Sequence, residues 1–143
     1  MFLSQILKDK GDNVFTASPN ETVGAAAALL HSRRVGAMVI VDADDAVIGI
    51  LSERDIVRVV AEQGAAGLVQ PISSCMTRDV LFAGPSEAVH TLLERMTDRR
   101  VRHLPVINQG RLAGIVSIGD LVKSKIAESE AEAEHLKAYI AAG

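Results

Sequence analysis

Two seven-residue motifs carry the residue types with most chemical potential: Gly49-Ile50-Leu51-Ser52-Glu53-Arg54-Asp55 and Gly114-Ile115-Val116-Ser117-Ile118-Gly119-Asp120. Each sets a serine three residues ahead of an aspartate, where an aliphatic run gives way to helix-forming residues. A helix N-terminus at that point offers unpaired amides and a partial positive charge, which suits a phosphate, and the serine hydroxyl adds a donor. The aspartate can accept both hydroxyls of a ribose, and the glycine lets a base come close to the backbone. The same spacing also makes a capping box, in which both side chains only satisfy orphan backbone donors. Taken singly, each motif favours the cap, so the functional reading rests on there being two.

Other chemistry finds little support. The second motif is one residue too long for a nucleophile elbow, and neither a Walker loop nor a dinucleotide-binding glycine fingerprint occurs. His31, His90 and His135 lie at helical positions without a metal-compatible neighbour and read as solvated or packed, so no metal site is predicted. The single Cys75 excludes an intramolecular disulfide and a cysteine-based zinc site, and reads as a small buried hydrophobe. The formal charge of −3 is spread over interleaved acids and bases, without the field that attracts a phosphate backbone, so no nucleic-acid partner is expected. The apolar run of Met1 to Lys8 is too short for a signal sequence and no segment can span a bilayer, so a cytoplasmic protein is expected.

The elements that must position the motifs are themselves duplicated. Val14 to Val57 recurs as Val80 to Val122, pairing Pro19 with Pro85, Glu21 with Glu87 and Arg33-Arg34-Val35 with Arg99-Arg100-Val101. After a one-residue slip, Gly49, Ser52, Asp55 and Val57 pair with Gly114, Ser117, Asp120 and Val122. The slip falls between two polar turns, Asp42-Ala43-Asp44-Asp45 and Asn108-Gln109-Gly110, where a length change is cheap. Each copy is expected to start a helix at its proline, with Ser18-Pro19-Asn20-Glu21 and Gly84-Pro85-Ser86-Glu87 as the caps. Val23, Ala26, Ala27 and Leu30, and likewise Val89, Leu92, Leu93 and Met96, then form buried stripes.

Two apolar runs follow in each copy, Val35 to Val41 with Val47 to Leu51, and Val101 to Ile107 with Leu112 to Val116, each the length of a strand. With a short strand near Val14 or Val80 and a helix opened by Ser52 or Ser117, the unit is β-α-β-β-α. The fold class is therefore α/β, as tandem repeats packed pseudo-symmetrically through their sheets with two equivalent clefts. The segmentation places the N-terminal segment and repeat one at 1–63, a linker at 64–71, repeat two at 72–125 and a helical tail at 126–143. Pro71 to Met76 is expected to form one short helical turn. The tail from Asp120 to Ile140 has no Gly or Pro, and Val122, Ile126, Ser129, Ala133, Leu136 and Ile140 recur in steps of four and three. It reads as one long helix that either packs back on its own core or meets another subunit.

The doubled Gly-h-x-Ser-x-x-Asp, the aliphatic strand Arg102-His103-Leu104-Pro105-Val106 and the strand-end prolines resemble a CBS-domain pair, or Bateman module, of the stand-alone type. The resemblance covers about Leu3 to Lys123. It implies two β-α-β-β-α units, a homodimer shaped as a flat disc, and clefts between repeats that take adenine ligands: AMP, ADP, ATP, NAD or S-adenosylmethionine. By that resemblance Asp55 and Asp120 hold ribose hydroxyls, Ser52 and Ser117 face phosphate, and Thr16 with Thr77-Arg78 lines the base or ribose. Arg54, Arg102 and His103 are nominated for phosphate, with Ala37, Met38, Leu51, Leu104 and Pro105 of the strands completing the binding set. The copies differ: Gly119 stands where repeat one has Arg54, Gly36-Ala37 where repeat two has Arg102-His103, and Phe82 where repeat one has Thr16.

The function expected is a non-catalytic, energy-sensing signal-transduction module that binds an adenine nucleotide, AMP, ATP or NAD(H), needs no catalytic cofactor, and passes the signal to a protein partner. One alternative is a structural dimer that binds a protein and no nucleotide. Another is an enzyme related to inosine monophosphate dehydrogenase, whose regulatory insert is similar to this module; the chain is too short for that enzyme's separate catalytic barrel.

Overall fold

The computed structural model describes residues 1–11 and 14–142. The chain divides into two compact units, one of Asn13–Leu81 and one of Met1–Asp12 with Phe82–Gly143. Among the described residues no helix is long and apolar enough to cross a membrane.

In the first unit, β1 (Thr16–Ala17) leads through α2 (Val23–Arg33) to β2 (Ala37–Val41), β3 (Val47–Ser52) and α3 (Glu53–Gln63); α1 (Leu3–Lys10) belongs to the other unit. The sheet order is β1-β2-β3: β1 runs parallel to β2 with Thr16 opposite Val39, and β2 runs antiparallel to β3 with Ala37 opposite Ser52. The second unit repeats this with α4 (Val89–Arg99), β4 (His103–Asn108), β5 (Arg111–Ser117) and α5 (Ile118–Ala142). Its first strand is reduced to one parallel bridge, Ala83 with Val106, and His103 stands opposite Ser117. Both hairpins shift register at the same place, between Ile40 and Val41 and between Val106 and Ile107. The shorter turn reverses through Gln109 and Gly110, both at positive φ, while the longer one is tied by amides of Asp44 and Ala46 donating to Asp42 Oδ1. Each turn therefore sets its own strand register, and the one-residue length difference is absorbed there.

The prolines do not open the helices. Glu21 and Glu87 do reach back, accepting from the amides of Ser18 and Gly84 at 3.0 and 2.8 Å, but these close tight turns, and α2 and α4 start later at Val23 and Val89. The delay has a physical cause: the chain between turn and helix is held extended by a neighbouring segment. Ile72 and Ser73 donate to the carbonyls of Glu21 and Pro19 in one unit, and Leu3 and Ser4 donate to those of Glu87 and Pro85 in the other. Val23 donates in turn to Gln70, and Val89 to Met1. Gln70 to Ser73 therefore does for the first unit what Met1 to Ser4 does for the second, so the lead-in segments are duplicated along with the repeats. Because the bonding partner of repeat two is the N-terminal segment, the compact units cut across the sequence segmentation of 1–63 and 72–125.

Residues 64–71 are not a free linker either. Gly64–Val69 forms a 3-10 helix against α2 and α3, where a Cβ on Gly67 would lie 2.3 Å from Val59 Cγ1 and one on Gly24 would lie 3.1 Å from the Leu68 carbonyl. Ile72–Ser74 makes the expected single turn. The helical stripes bury Val23, Ala26 and Leu30 in one unit and Val89, Leu92 and Met96 in the other, while Ala27 and Leu93 at the stripe edges are only half-buried. Ile72 and Met76 join the first core, and Leu3 and Ile6 are buried in the second unit. The tail is one helix, α5, whose sole buried residue is Leu121.

Candidate functional site

Strand pairing brings the duplicated motifs to equivalent places. Ser52 ends β3 opposite Ala37, with Met38 opposite Leu51; Ser117 ends β5 opposite His103, with Leu104 opposite Val116. Each serine is also the residue before a helix, and the helix's first amide is already engaged: Glu53 donates to Gly36 and Ile118 to Arg102. Both capping boxes are formed. Ser52 N–H donates to Asp55 Oδ2 at 3.0 Å and Asp55 N–H to Ser52 Oγ at 3.4 Å; Ser117 N–H donates to Asp120 Oδ2 at 2.9 Å and Asp120 N–H to Ser117 Oγ at 3.1 Å.

The two aspartates differ in what else holds them. Asp55 is 4% exposed, and its Oδ1 accepts from Arg58 at 3.1 Å and from Thr77 Oγ1 at 3.4 Å. Thr77 arrives by a backbone bridge to Ile50. Arg58 also donates to the Cys75 carbonyl, so one guanidinium ties α3 to the segment that covers it. Asp120 keeps 27% of its side chain exposed and takes a 2.5 Å ion pair from Lys10, which also donates to the Ile115 carbonyl. Burial pushes the Asp120 carboxyl up, but the Lys10 and Ser117 hydrogen bonds outweigh it and hold the group below its ordinary value. Lys10 and Asp120 stand in the wall of a cleft of about 380 Å3 between α1 and α5, with Gln5, Asp9, Lys123 and Ser124.

The remaining predicted residues fall into three groups. Thr16 and Met38 line a slot of about 160 Å3 with Phe15, Leu29, Arg33 and Val35, in which the Arg33 guanidinium stacks 4.3 Å from the Phe15 ring centre. That volume is below the roughly 300–1,000 Å3 of most small-molecule sites. Arg54 and Arg102 are exposed beside the helix starts, and His103 is half-buried. Leu51, Leu104 and Pro105 are buried in the strands, and Arg78 donates to the Ser73 carbonyl at 2.8 Å. The glycines do not leave an open face for a base: a Cβ on Gly49 would meet Met76 Sδ at 2.6 Å and the Thr77 carbonyl at 3.1 Å, and one on Gly114 would meet Leu7 at 3.2 Å. The close approach is made by Met76 and Thr77 in one unit and by Leu7 of α1 in the other.

Lys10 and Arg58 were absent from the sequence-based set. Arg58 was legible as the i+3 partner of Asp55. Lys10 lies 110 residues from Asp120, and no local rule joins them. Cys75 is half-buried, and its thiol is pushed up by burial and by the Asp55 charge, with Arg58 opposing.

Comparison with known families settles the fold's identity, because the CBS domain model matches twice, over residues 6–62 and 72–126. The chain belongs to the CBS-domain family, as a pair. A CBS-domain containing protein of Agrobacterium tumefaciens is 47% identical, with a TM-score of 0.84, over 87% of this chain and 92% of that one. CBS domain-containing protein YhcV of Bacillus subtilis is 30% identical over 90% of this chain and 91% of its own length. A CBS domain protein of Pyrobaculum aerophilum, 28% identical with a TM-score of 0.75 over 84% of this chain and 89% of that one, was solved as a complex with AMP.

Proposed function

We propose that this CBS pair is a non-catalytic regulatory module that binds an adenine nucleotide, AMP, ATP or NAD(H), at its Ser-x-x-Asp helix starts and reports the adenylate state to a protein partner in the cytoplasm. The observation that carries this reading is the twofold placing of a serine and an aspartate where a strand ends and a helix begins, the setting a ribose 5′-phosphate needs. The AMP complex of the Pyrobaculum relative supports the adenine choice. Asp120 is the better ribose acceptor of the two, because its side chain is part exposed whereas Asp55 is enclosed by Arg58 and Thr77. Arg102 and His103 then supply the phosphate side, and Arg54 does so in repeat one. Micromolar affinity needs about 8 kcal/mol, and a helix terminus contributes under about 1 kcal/mol, so burial of the base must provide most of the affinity.

Thermal unfolding against AMP, ADP, ATP, NADH, S-adenosylmethionine and GTP, followed by calorimetry, tests the reading. A ligand at a hundredfold excess over its Kd adds about 2.7 kcal/mol, which raises Tm by about 5–10 °C at this chain length. Selective stabilisation by adenine ligands, lost in Asp120→Asn, is the expected outcome. No shift with any of them, in protein freed of carried-over nucleotide, leaves the capping boxes as helix caps only and favours a structural dimer.

A further inference from the structure

Helix α5 runs well past the body of its unit. Every residue from Ser129 to Ala142 is exposed, so about four turns receive no packing from their own chain. A helix of that length is marginal in water by itself. Its exposed large aliphatic residues are not scattered: Val122, Ile126, Leu136 and Ile140 are 42%, 55%, 60% and 68% exposed, with Tyr139 beside them at 79%. With Ser129 and Ala133 they form one seam in alternating steps of four and three, about 100° around the helix from the buried Leu121. The seam is therefore a face that the unit itself leaves uncovered.

The charges beside the seam select its occupant. With Ile126, Ala133 and Ile140 at one core position of the heptad and Val122, Ser129 and Leu136 at the other, the flanking positions hold Lys125, Glu132 and Tyr139 on one side and Lys123, Glu130 and Lys137 on the other. If two copies pair parallel and in register, Lys125 faces Glu130 of the second copy and Glu132 faces its Lys137, on both sides of the seam. If they pair antiparallel over the full seam, Glu130 faces Glu130, Glu132 faces Glu132 and Lys123 faces Lys137. A shorter antiparallel overlap restores opposite charges but leaves either Leu136 and Ile140 or Val122 and Ile126 uncovered. Only the parallel, in-register pair covers the whole aliphatic seam and sets opposite charges together. Small residues at Ser129 and Ala133 let the two backbones approach closely at the centre. We infer that α5 is a self-association helix that pairs with α5 of a second copy as a short parallel coiled coil.

Cysteine crosslinking in a Cys75→Ala background reads the geometry, with far-UV circular dichroism to check folding. Leu136→Cys is expected to oxidise mostly to a covalent homodimer, while a mixture of Ile126→Cys and Leu136→Cys chains gives little mixed dimer. In the chain with Cys75 intact, Ile126→Glu/Leu136→Glu is expected to weaken self-association at least tenfold in sedimentation equilibrium. Glu132→Lys weakens it and Glu132→Lys/Lys137→Glu restores it. A dominant mixed 126–136 crosslink, or a dimer unmoved by Ile126→Glu/Leu136→Glu, overturns the inference; so does a wild-type chain that stays monomeric at a hundred micromolar.

Discussion

Replacing Asp55 by alanine separates the structural share of the capping motif from any ligand role. The carboxylate is 4% exposed and accepts four hydrogen bonds, from the amide and hydroxyl of Ser52 at 3.0 and 3.2 Å, from Arg58 at 3.1 Å and from Thr77 at 3.4 Å. Alanine leaves the part-buried Ser52 amide without its acceptor, which costs about 1–3 kcal/mol. Arg58 adds little, because it is half exposed and keeps the Cys75 carbonyl. The expected loss is about 2 kcal/mol, or about 4–8 °C in Tm at this chain length. Asp120→Ala should cost about half as much or less, since its carboxylate and Lys10 are both part exposed and their groups can return to water. Urea unfolding at neutral pH followed by circular dichroism, with the m-value unchanged, measures both losses. An Asp55→Ala loss under about 0.5 kcal/mol, or a larger loss in Asp120→Ala, would refute a structural role for the buried Asp55 carboxylate.

Gly67→Ala should destabilise by about 1–3 kcal/mol through overpacking, because the new methyl meets Val59 Cγ1 at 2.3 Å; a urea midpoint equal to wild type would contradict the packed 3-10 segment. Gly64→Ala meets no atom within 4 Å but sits at φ +63°, so a loss of about 1 kcal/mol from backbone conformation alone is expected in the same assay. Acid should weaken the fold in a defined window. The Arg95 hydrogen bond holds Glu87 below its ordinary value against the effect of burial, and Asp120 is held low as well. Both therefore contribute stability that is full above the ordinary carboxylate range, about 4, and is lost as pH falls through their lower folded values. Urea midpoints from pH 6 to pH 3 should fall less steeply in Glu87→Gln/Asp120→Asn than in wild type. Cys75 should react with a disulfide reagent near pH 8 more slowly than free cysteine, and faster in Asp55→Asn, because part of its upward shift comes from the Asp55 charge.

The repeats, the strand pairs, both Ser-x-x-Asp motifs and the long tail helix were legible from the residues, because each depends on periodicity or spacing within a few turns of chain. The heptad seam of α5 belongs to the same class, and its charges could be read with it. What local spacing misjudged was the start of α2 and α4: Ser18 to Glu21 and Gly84 to Glu87 satisfy the rule for a cap, yet amides of Ile72 and Leu3 hold the next residues extended. Tertiary contact likewise packed Gly64–Val69 as a 3-10 helix, closed the glycine faces with Met76 and Leu7, and set Lys10 on Asp120. These bonds join segments tens of residues apart, and a backbone amide that donates to such a segment carries no side-chain signature, so only the folded chain decides them.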